Sequence, residues 1–270
     1  METDLSGRVV LVTGASGGIG GEVVRAFVRE GARVVAHFGE HGDRAQALAN
    51  ELGPACVPLG ADLTLEAEVE RLFAEIEVGL GPVEVLVANA GLWPADDVPL
   101  ERMTLKQWHA TLDANLTSVF LCAREFFRGI IRHGLIDPAA VLVGSTAALF
   151  GEAGHADYAA AKAAVTYGLA RSLKNEIARL APRGRVNVVC PGWTFTPMTQ
   201  ALADDPERVR RVLQTVPLRK VGRPADVAMA VLYLASSRLA GHVSGQILTV
   251  AGGMEGRVLY EKDEIDPDKA

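Results

Sequence analysis

Short, continuously apolar runs alternate with longer amphipathic stretches along almost the whole chain. An unbroken apolar run indicates a strand that is covered on both faces, whereas a strand with one wet face alternates apolar and polar residues. The pattern therefore predicts an α/β protein with a doubly wound, seven-stranded parallel sheet and helices on both faces, in three α/β/α layers. The predicted strands span residues 9–13, 33–38, 56–60, 83–88, 141–145, 185–190 and 246–250.

No repeat, low-complexity tract or Pro/Ser-rich linker interrupts this alternation. We therefore expect residues 1–260 to form one domain, since 270 residues with 49% hydrophobic content can bury a large core. The end of the chain has a different composition. Residues 261–270 carry five acidic side chains and two lysines, which predicts a polar acidic tail that is mobile or contacts another subunit.

The charge balance narrows the possible partners. The formal net charge is −6, from 27 basic and 33 acidic residues, and no stretch is strongly basic. Binding to nucleic acid or to an anionic membrane is therefore disfavoured, and a small-molecule substrate is favoured. The first residues show neither a basic start nor a long apolar run, so we expect no secretory signal, no membrane anchor and a cytoplasmic location.

The cysteines add no further site. Cys56, Cys122 and Cys190 are widely separated within apolar stretches and lack the spacing of metal ligands. An odd number of such residues indicates reduced cysteines in the core, so we expect neither a disulfide framework nor a bound metal.

Three residues suggest a chemistry. The Ala-rich segment 157–181 predicts a helix, in which Tyr158 and Lys162 lie four residues apart on one face. To exchange a proton at neutral pH, a tyrosine pKa must fall from ~10 to about 7, and a lysine charge at ~5 Å supplies roughly 3 kcal/mol of that. Ser145, at the end of the predicted strand 141–145, could hydrogen-bond an alcohol or carbonyl oxygen. The set predicts a carbonyl/alcohol redox site.

A glycine-rich segment follows the first predicted strand and opens a helix. Gly14, Gly18 and Gly20 would let a pyrophosphate approach the backbone and the positive end of the helix dipole, as a dinucleotide site requires. A tight strand-to-helix turn without a ligand is the alternative. Asp62 follows the third strand, where by itself it reads as a helix N-cap or turn residue.

Taken together, these motifs and their order resemble the classical short-chain dehydrogenase/reductase family, and ketoacyl-carrier-protein reductase-like members in particular. The resemblance covers nearly the whole chain. It implies a Rossmann-like fold and rests on Thr13-Gly-Ala-Ser-Gly-Gly-Ile-Gly20, Asn89-Ala90-Gly91, Asn115, Ser145, Tyr158-Ala-Ala-Ala-Lys162, Pro191-Gly192 and Gly222-Arg223-Pro224.

The resemblance implies hydride transfer between a nicotinamide and a ketone or secondary alcohol. Tyr158 would exchange the hydroxyl proton and Ser145 would polarise the oxygen. Lys162 would lower the tyrosine pKa and bind the nicotinamide ribose, and Asn115 would hold a water that relays protons.

It also implies a set of cofactor-binding residues. Phe38 stands where an acidic residue would accept hydrogen bonds from the ribose of NAD, and Gly17 stands where many NADP-dependent relatives are basic, so the chain carries neither signal. Because Glu40 would oppose a 2′-phosphate, NAD(H) is slightly favoured over NADP(H). The implied residues are Gly14, Ser16, Gly17, Gly18, Ile19, Gly20, Phe38, Asp62, Leu63, Asn89, Ala90, Gly91, Tyr158, Lys162, Pro191, Gly192, Thr194 and Thr196.

The substrate is less legible. The family places it beneath a variable lid, here residues 193–220, and Trp93, His155 and Trp193 are candidate pocket residues, although packing explains each of them as well. The lid is locally basic, which suits a phosphopantetheine-linked acyl group or a solvated amphipathic helix equally. The family also commonly forms homotetramers, with a homodimer as the alternative.

Two other functions use the same fold. A catalytically silent nucleotide sensor or scaffold is possible because fold does not fix function, but such a protein has no need of all four catalytic residues. An epimerase or dehydratase of the extended family usually carries an added C-terminal domain. Only about a hundred residues follow Lys162, and they include the predicted strand 246–250, so that domain has no room.

Overall fold

A computed structural model describes residues 2–94, 96–199 and 205–266. It contains one sheet of seven parallel strands in the order β3-β2-β1-β4-β5-β6-β7. The predicted sheet is confirmed. The strands are β1 Val9–Val12, β2 Arg33–Phe38, β3 Cys56–Gly60, β4 Val85–Ala88, β5 Ala139–Val143, β6 Arg185–Pro191 and β7 Ile247–Val250.

Helices connect the strands and cover both faces of the sheet. They are α1 Gly18–Arg29, α2 Gly42–Leu52, α3 Glu66–Leu80, α4 Leu105–Leu112, α5 Ser118–His133, α6 Thr146–Phe150, α7 Ala156–Ala163, α8 Ala170–Leu180, α9 Pro206–Leu213, α10 Pro224–Ala235 and α11 Ser237–Ala240. π-helical turns at Asp113–Thr117 and Ala164–Leu169 join α4 to α5 and α7 to α8. Short 3₁₀ turns occur at Gly53–Ala55, Leu100–Arg102 and Lys262–Glu264.

Alternate strand residues feed two separate cores. Leu11 packs with Phe126 of α5 on one face of the sheet, whereas Val10 packs with Phe27 of α1 on the other. All four residues of β1 are buried, as a strand covered on both faces requires. The unbroken apolar runs therefore arise from burial on both faces of the sheet, as predicted.

The fifth strand begins and ends earlier than predicted. Ala139 and Ala140 pair with β4 and β6 although alanine is a weak strand former, because neighbouring strands impose the ladder. The strand ends at Val143, so Ser145 lies two residues beyond it and not at its end. The fourth strand begins at Val85, two residues later than predicted.

The C-terminal residues pack against the lid. The Leu259 backbone N–H donates to Gln214 O at 2.7 Å, and the Tyr260 hydroxyl donates to Pro217 O at 3.0 Å. Ile265 is 4% exposed and lies in an apolar cluster with Val209 and Leu213 of α9. The sequence predicted that residues 261–270 form a polar acidic tail. Residues 261–266 differ from this expectation because one apolar side chain among the charges, Ile265, is buried in that cluster. Residues 267–270 of that tail lie outside the described residues.

Within the described ranges, none of the helices has both the length and the apolarity needed to span a membrane.

Candidate active site

The predicted catalytic residues converge beyond the carboxyl ends of β4 and β5. Ser145 is the N-cap of α6, where its hydroxyl accepts a hydrogen bond from the Ala147 N–H at 3.1 Å. The same hydroxyl hydrogen-bonds the phenol of Tyr158, which lies in the first turn of α7. The N-termini of α6 and α7 thus bring together Ser145 and Tyr158, which are thirteen positions apart in the sequence.

Lys162 is buried one helical turn beyond Tyr158. Its Nζ donates to the Val143 carbonyl at 3.0 Å and lies 5.8 Å from the centroid of the Tyr158 ring. This anchors the ammonium at the end of β5, on the same side of α7 as the phenol, as the four-residue spacing predicted.

The pKa of Tyr158 moves opposite to the expected direction. Burial raises the pKa of Tyr158 to about 12, the Ser145 hydrogen bond counteracts part of this rise, and the nearby Glu152 carboxylate adds to it. Burial also lowers the pKa of Lys162 to about 8. Desolvation disfavours the charged form of both groups, so in the protein alone the Tyr158 pKa does not fall as the sequence argument expected.

Asn115 lies in the π turn between α4 and α5 and is fully buried. Its Nδ2 donates to Leu92 O at 2.9 Å and to Thr111 O at 3.0 Å, but its Oδ1 has no partner among the described residues. A Cβ placed on Gly91 would lie 2.5 Å from this Oδ1 and 3.4 Å from Lys162 Nζ. The bare glycine backbone therefore lets Asn115 and Lys162 lie close against it, and a water held nearby would satisfy the orphaned oxygen.

Asp157 supports the site and was not found from the sequence. This buried carboxylate accepts hydrogen bonds from Thr111 Oγ1 at 2.7 Å and Gln107 Nε2 at 3.2 Å, both on α4. Its other oxygen accepts from the Tyr158 N–H at 2.8 Å. Asp157 thus ties the start of α7 to α4. A charged residue directly before a candidate catalytic tyrosine was the available signal.

The glycine-rich turn forms a cradle that side chains would fill. Gly14 has φ +66°, and a Cβ there would lie 2.9 Å from Ala90 Cα. A Cβ on Gly20 would collide with the Gly14 carbonyl oxygen. Asn89 fastens the turn through Nδ2 to Thr13 O at 2.9 Å. In the part of the chain that is described, no side chain caps the N-terminus of α1, so its N–H groups remain available to an anion.

The lid reaches this cradle. Thr194 donates through Oγ1 to Gly192 O at 3.0 Å, just beyond the end of β6 at Pro191. A Cβ on Gly18 would lie 2.9 Å from the side chain of Thr196. The implied residues of β6, the lid and α1 therefore meet above the same edge of the sheet. Residues 200–204 of the predicted lid lie outside the described residues.

The last residue of β2, Phe38, presents an aromatic ring where an acid would bind a ribose. A Cβ on Gly60 would lie 2.8 Å from the Phe38 ring, so the ring packs against β3. His37 is 2% exposed, and its Nδ1 accepts from the Gly14 N–H at 3.2 Å. Its Nε2 lies 3.0 Å from Ala61 O, and burial lowers the His37 pKa to about 4. His37 therefore holds the glycine turn as a neutral imidazole.

Among the other implied residues, Asp62 is exposed and forms a local turn. Its Oδ1 accepts from Thr64 N at 2.9 Å and from Thr64 Oγ1 at 2.7 Å. The next residue, Leu63, is 6% exposed and belongs to the core. These contacts match the turn role that Asp62 has by itself.

Two loops beside Tyr158 are fastened together, and we call them the pocket wall (residues 92–94, 96–98 and 151–155). The Val98 N–H donates to Gly154 O at 2.9 Å, and His155 Nε2 lies 2.9 Å from Pro94 O. The rings of Trp93 and His155 stack with centroids 4.5 Å apart. His155 is only 1% exposed, so it supports the wall from within, whereas Trp93 remains partly exposed.

The third candidate pocket residue lies on the lid. Trp193 stacks with Phe195 at 6.3 Å, next to the apolar cluster that contains Ile265. Its Nε1 is buried without a hydrogen-bond partner in the described residues. The ring contact of Trp193 is thus with Phe195 of the lid, whereas Trp93 and His155 stack on each other.

The chain matches known proteins over most of its length. The family model described as Enoyl-(Acyl carrier protein) reductase matches residues 14–255. The 3-oxoacyl-(acyl-carrier-protein) reductase of Escherichia coli is 37% identical over 255 residues, which are 93% of this chain and 98% of the relative. The chain belongs to the short-chain dehydrogenase/reductase family. It is accordingly an NAD(P)-dependent oxidoreductase that acts on a carbonyl or CH–OH group.

Other members of the short-chain dehydrogenase/reductase family are similarly close. Nodulation protein G of Rhizobium is 38% identical over 253 residues, covering 93% of this chain and 98% of that protein. The crystal structure of a putative gluconate dehydrogenase from Agrobacterium tumefaciens superposes with a TM-score of 0.86 at 30% identity, covering 94% of this chain and 98% of that one. The resemblance seen in the motifs is thus confirmed along the chain.

Proposed function

We propose that this enzyme interconverts a ketone and a secondary alcohol with Tyr158 as the general acid and base. The observation that carries the proposal is the Tyr158 phenol, hydrogen-bonded by Ser145 and backed by the buried Lys162. A hydroxyl beside a phenol can bind the same substrate oxygen, which places the proton donor at the atom that becomes an alcohol.

A nicotinamide dinucleotide fits the residues present. The cradle of Gly14 and Gly20 and the uncapped start of α1 would hold the pyrophosphate, and Thr194 and Thr196 would close over it. The bound nicotinamide supplies or accepts the hydride.

The side chains divide the remaining tasks. Ser145 orients the substrate oxygen, and Tyr158 gives its proton to that oxygen in reduction or removes it in oxidation. The raised Tyr158 pKa keeps the phenol protonated at neutral pH, which suits it as an acid. Asn115 and Lys162 lie close against Gly91, where a water held by the orphaned Asn115 Oδ1 would return the proton.

The cofactor preference that we propose is NAD(H). Phe38 and Gly17 offer no cation to a 2′-phosphate, and His37 is buried and neutral in its contacts with the glycine turn. Glu40, exposed in the following loop, would repel a dianionic phosphate.

Replacing Tyr158 by Phe tests the central assignment. We expect kcat for ketone reduction to fall by at least about a hundredfold, because positioned acid–base groups contribute roughly 10²–10⁴-fold. NADH and NADPH are compared side by side with ketones and acyl thioesters, and cofactor affinity is measured by fluorescence titration. Loss of turnover with unchanged cofactor affinity supports the role of Tyr158. Activity near that of the native enzyme in Tyr158→Phe would reject it.

Beyond the chemistry, we propose a cytoplasmic homotetramer with a single catalytic domain. An apolar groove between α5 and α8 supports the assembly: Phe120, Ile131 and Leu180 line it and are 45%, 66% and 38% exposed. The three cysteines are buried and free, as expected in a reducing compartment.

A further inference from the structure

The pocket wall holds a carboxylate that none of the assigned roles uses. Glu152 lies in the loop between α6 and α7, six residues before Tyr158, and is partly buried. The Trp93 Nε1–H donates to its Oε1 at 3.2 Å. Burial raises the pKa of Glu152, and its charge in turn raises the pKa of Tyr158. The Glu152 carboxylate is therefore partly desolvated, and its electrostatic interaction with the phenol affects the Tyr158 pKa.

Glu152 retains unused hydrogen-bonding capacity. In the described residues its side chain takes part in one hydrogen bond, the one from Trp93. An ionised carboxylate has about four lone-pair positions, so most of its acceptor capacity is free. Trp93 fixes the direction of the carboxylate, and the stacked His155 ring in turn fixes Trp93. The Glu152 carboxylate is therefore an oriented hydrogen-bond acceptor beside Tyr158, unlike the side chain of a flexible surface glutamate.

The charges around Glu152 act on it in opposite directions, since Asp97 raises its pKa and Arg208 lowers it. Arg208 of α9 reaches across to the pocket wall, where its NH2 lies 3.4 Å from Asp97 Oδ1, and its charge also acts on Glu152. His155 Nδ1 lies 3.6 Å from the same Asp97 oxygen. Because Asp97 and Arg208 pair with each other, they create no net demand for a cation, and a neutral hydroxyl needs only the free acceptor positions of Glu152.

We propose that Glu152 is a specificity-determining residue that accepts a hydrogen bond from a substrate hydroxyl close to the reacting carbon, so that the enzyme prefers hydroxy ketones and their diols. This deepens the proposed function and rests on it. Trp93 positions the carboxylate and offers its partly exposed ring to the carbon skeleton of the same substrate. Buried acceptors discriminate strongly, because a ligand without the donor leaves them unpaired.

Binding tests the proposal without turnover. In the Tyr158→Phe enzyme loaded with NAD⁺, the dissociation constants of 1-phenyl-1,2-ethanediol and 1-phenyl-1-propanol are measured by tryptophan fluorescence. We expect the diol to bind about tenfold more tightly, as a hydrogen bond to a carboxylate allows. Adding Glu152→Leu should bring the ratio to about one, and Glu152→Gln should leave an intermediate ratio, because the amide oxygen still accepts. Glu75→Gln, an equal charge change in an exposed ion pair on α3, should leave the ratio unchanged.

Turnover gives the second readout. The native enzyme should prefer 2-hydroxy-1-phenylethanone to propiophenone in kcat/KM, and Glu152→Leu should lose this preference while still reducing propiophenone. Equal affinities for diol and mono-alcohol, or a ratio unaffected by Glu152→Leu, overturn the proposal. Tighter binding of 2-amino-1-phenylethanol than of the diol also overturns it, in favour of a cation site. Diol discrimination without any turnover would instead reject the proposed function and leave the Glu152 site standing.

Discussion

Tyr158 and Lys162 share one face of α7, and burial shifts both toward their neutral forms. The pKa of the phenol rises to about 12 and that of the ammonium falls to about 8. At neutral pH the tyrosine therefore holds its proton, and the lysine keeps its charge only below about pH 8. The spacing of the two residues predicted their proximity. It could not predict the direction of the Tyr158 shift, because desolvation depends on what the rest of the fold packs around them.

This arrangement predicts a pH dependence. The folded pKa of Lys162 lies below its usual 10.5, at about 8, so its charge is present below that value and is lost as the pH rises through it. We expect kcat/KM for ketone reduction to be flat between about pH 6 and 7 and to decline above about pH 8. Lys162→Arg, which does not titrate there, should be slower but should lack this decline. A native profile that stays flat to about pH 9.5 would contradict the assignment.

At the scale of elements, the site depends on two interrupted helices. The π turn at Asp113–Thr117 turns Asn115 inward between α4 and α5, and the turn at Ala164–Leu169 follows the helix that carries Tyr158. The Ala-rich sequence predicted one unbroken helix over residues 157–181. One extra residue in a turn changes the apolar pattern too little to be detected, so neither π turn was foreseen.

The tie between α4 and α7 makes a prediction about Asp157. Asp157→Ala leaves Thr111 Oγ1 and Gln107 Nε2 without their acceptor, and we expect a loss of about 1–3 kcal/mol in the free energy of unfolding. We also expect a lower kcat, because Tyr158 begins the released helix. Urea denaturation and steady-state kinetics measure both effects. Asp113→Ala removes an exposed hydrogen bond to Thr117 on the adjoining turn and should change neither. Equal effects in the two variants would argue against a special role for Asp157.

For the whole molecule, the seven-stranded parallel sheet with helices on both faces followed from the apolar runs, since a strand covered on both faces leaves a direct mark in the sequence. The apolar groove between α5 and α8 could not be predicted from the sequence in the same way. Its exposed lining residues, Phe120 and Ile131 among them, can be told from buried core residues only in the folded structure.

The proposed tetramer predicts the effect of charge in this groove. Ile131 is 66% exposed in the single chain, so Ile131→Glu should not disturb the core but should repel a partner. We expect a smaller mass by size-exclusion chromatography with light scattering. Val78→Glu, at a 91% exposed position on α3, is the matched control and should keep the native mass. A native enzyme that runs as a monomer would refute the assembly.

The packing of residues 259–265 on the lid has a practical consequence for handling the enzyme. The family match ends at residue 255, so this clasp lies outside the shared part of the chain. An affinity tag or fluorescent protein joined after residue 270 would lie close in sequence to the residues that contact Gln214 and α9, and its bulk would compete with these contacts. Such a fusion could change the apparent substrate range without altering any catalytic side chain. A tag at the other terminus, where Thr3 O accepts from Ser236 Oγ at 2.6 Å, would leave the contacts of residues 259–265 with the lid undisturbed.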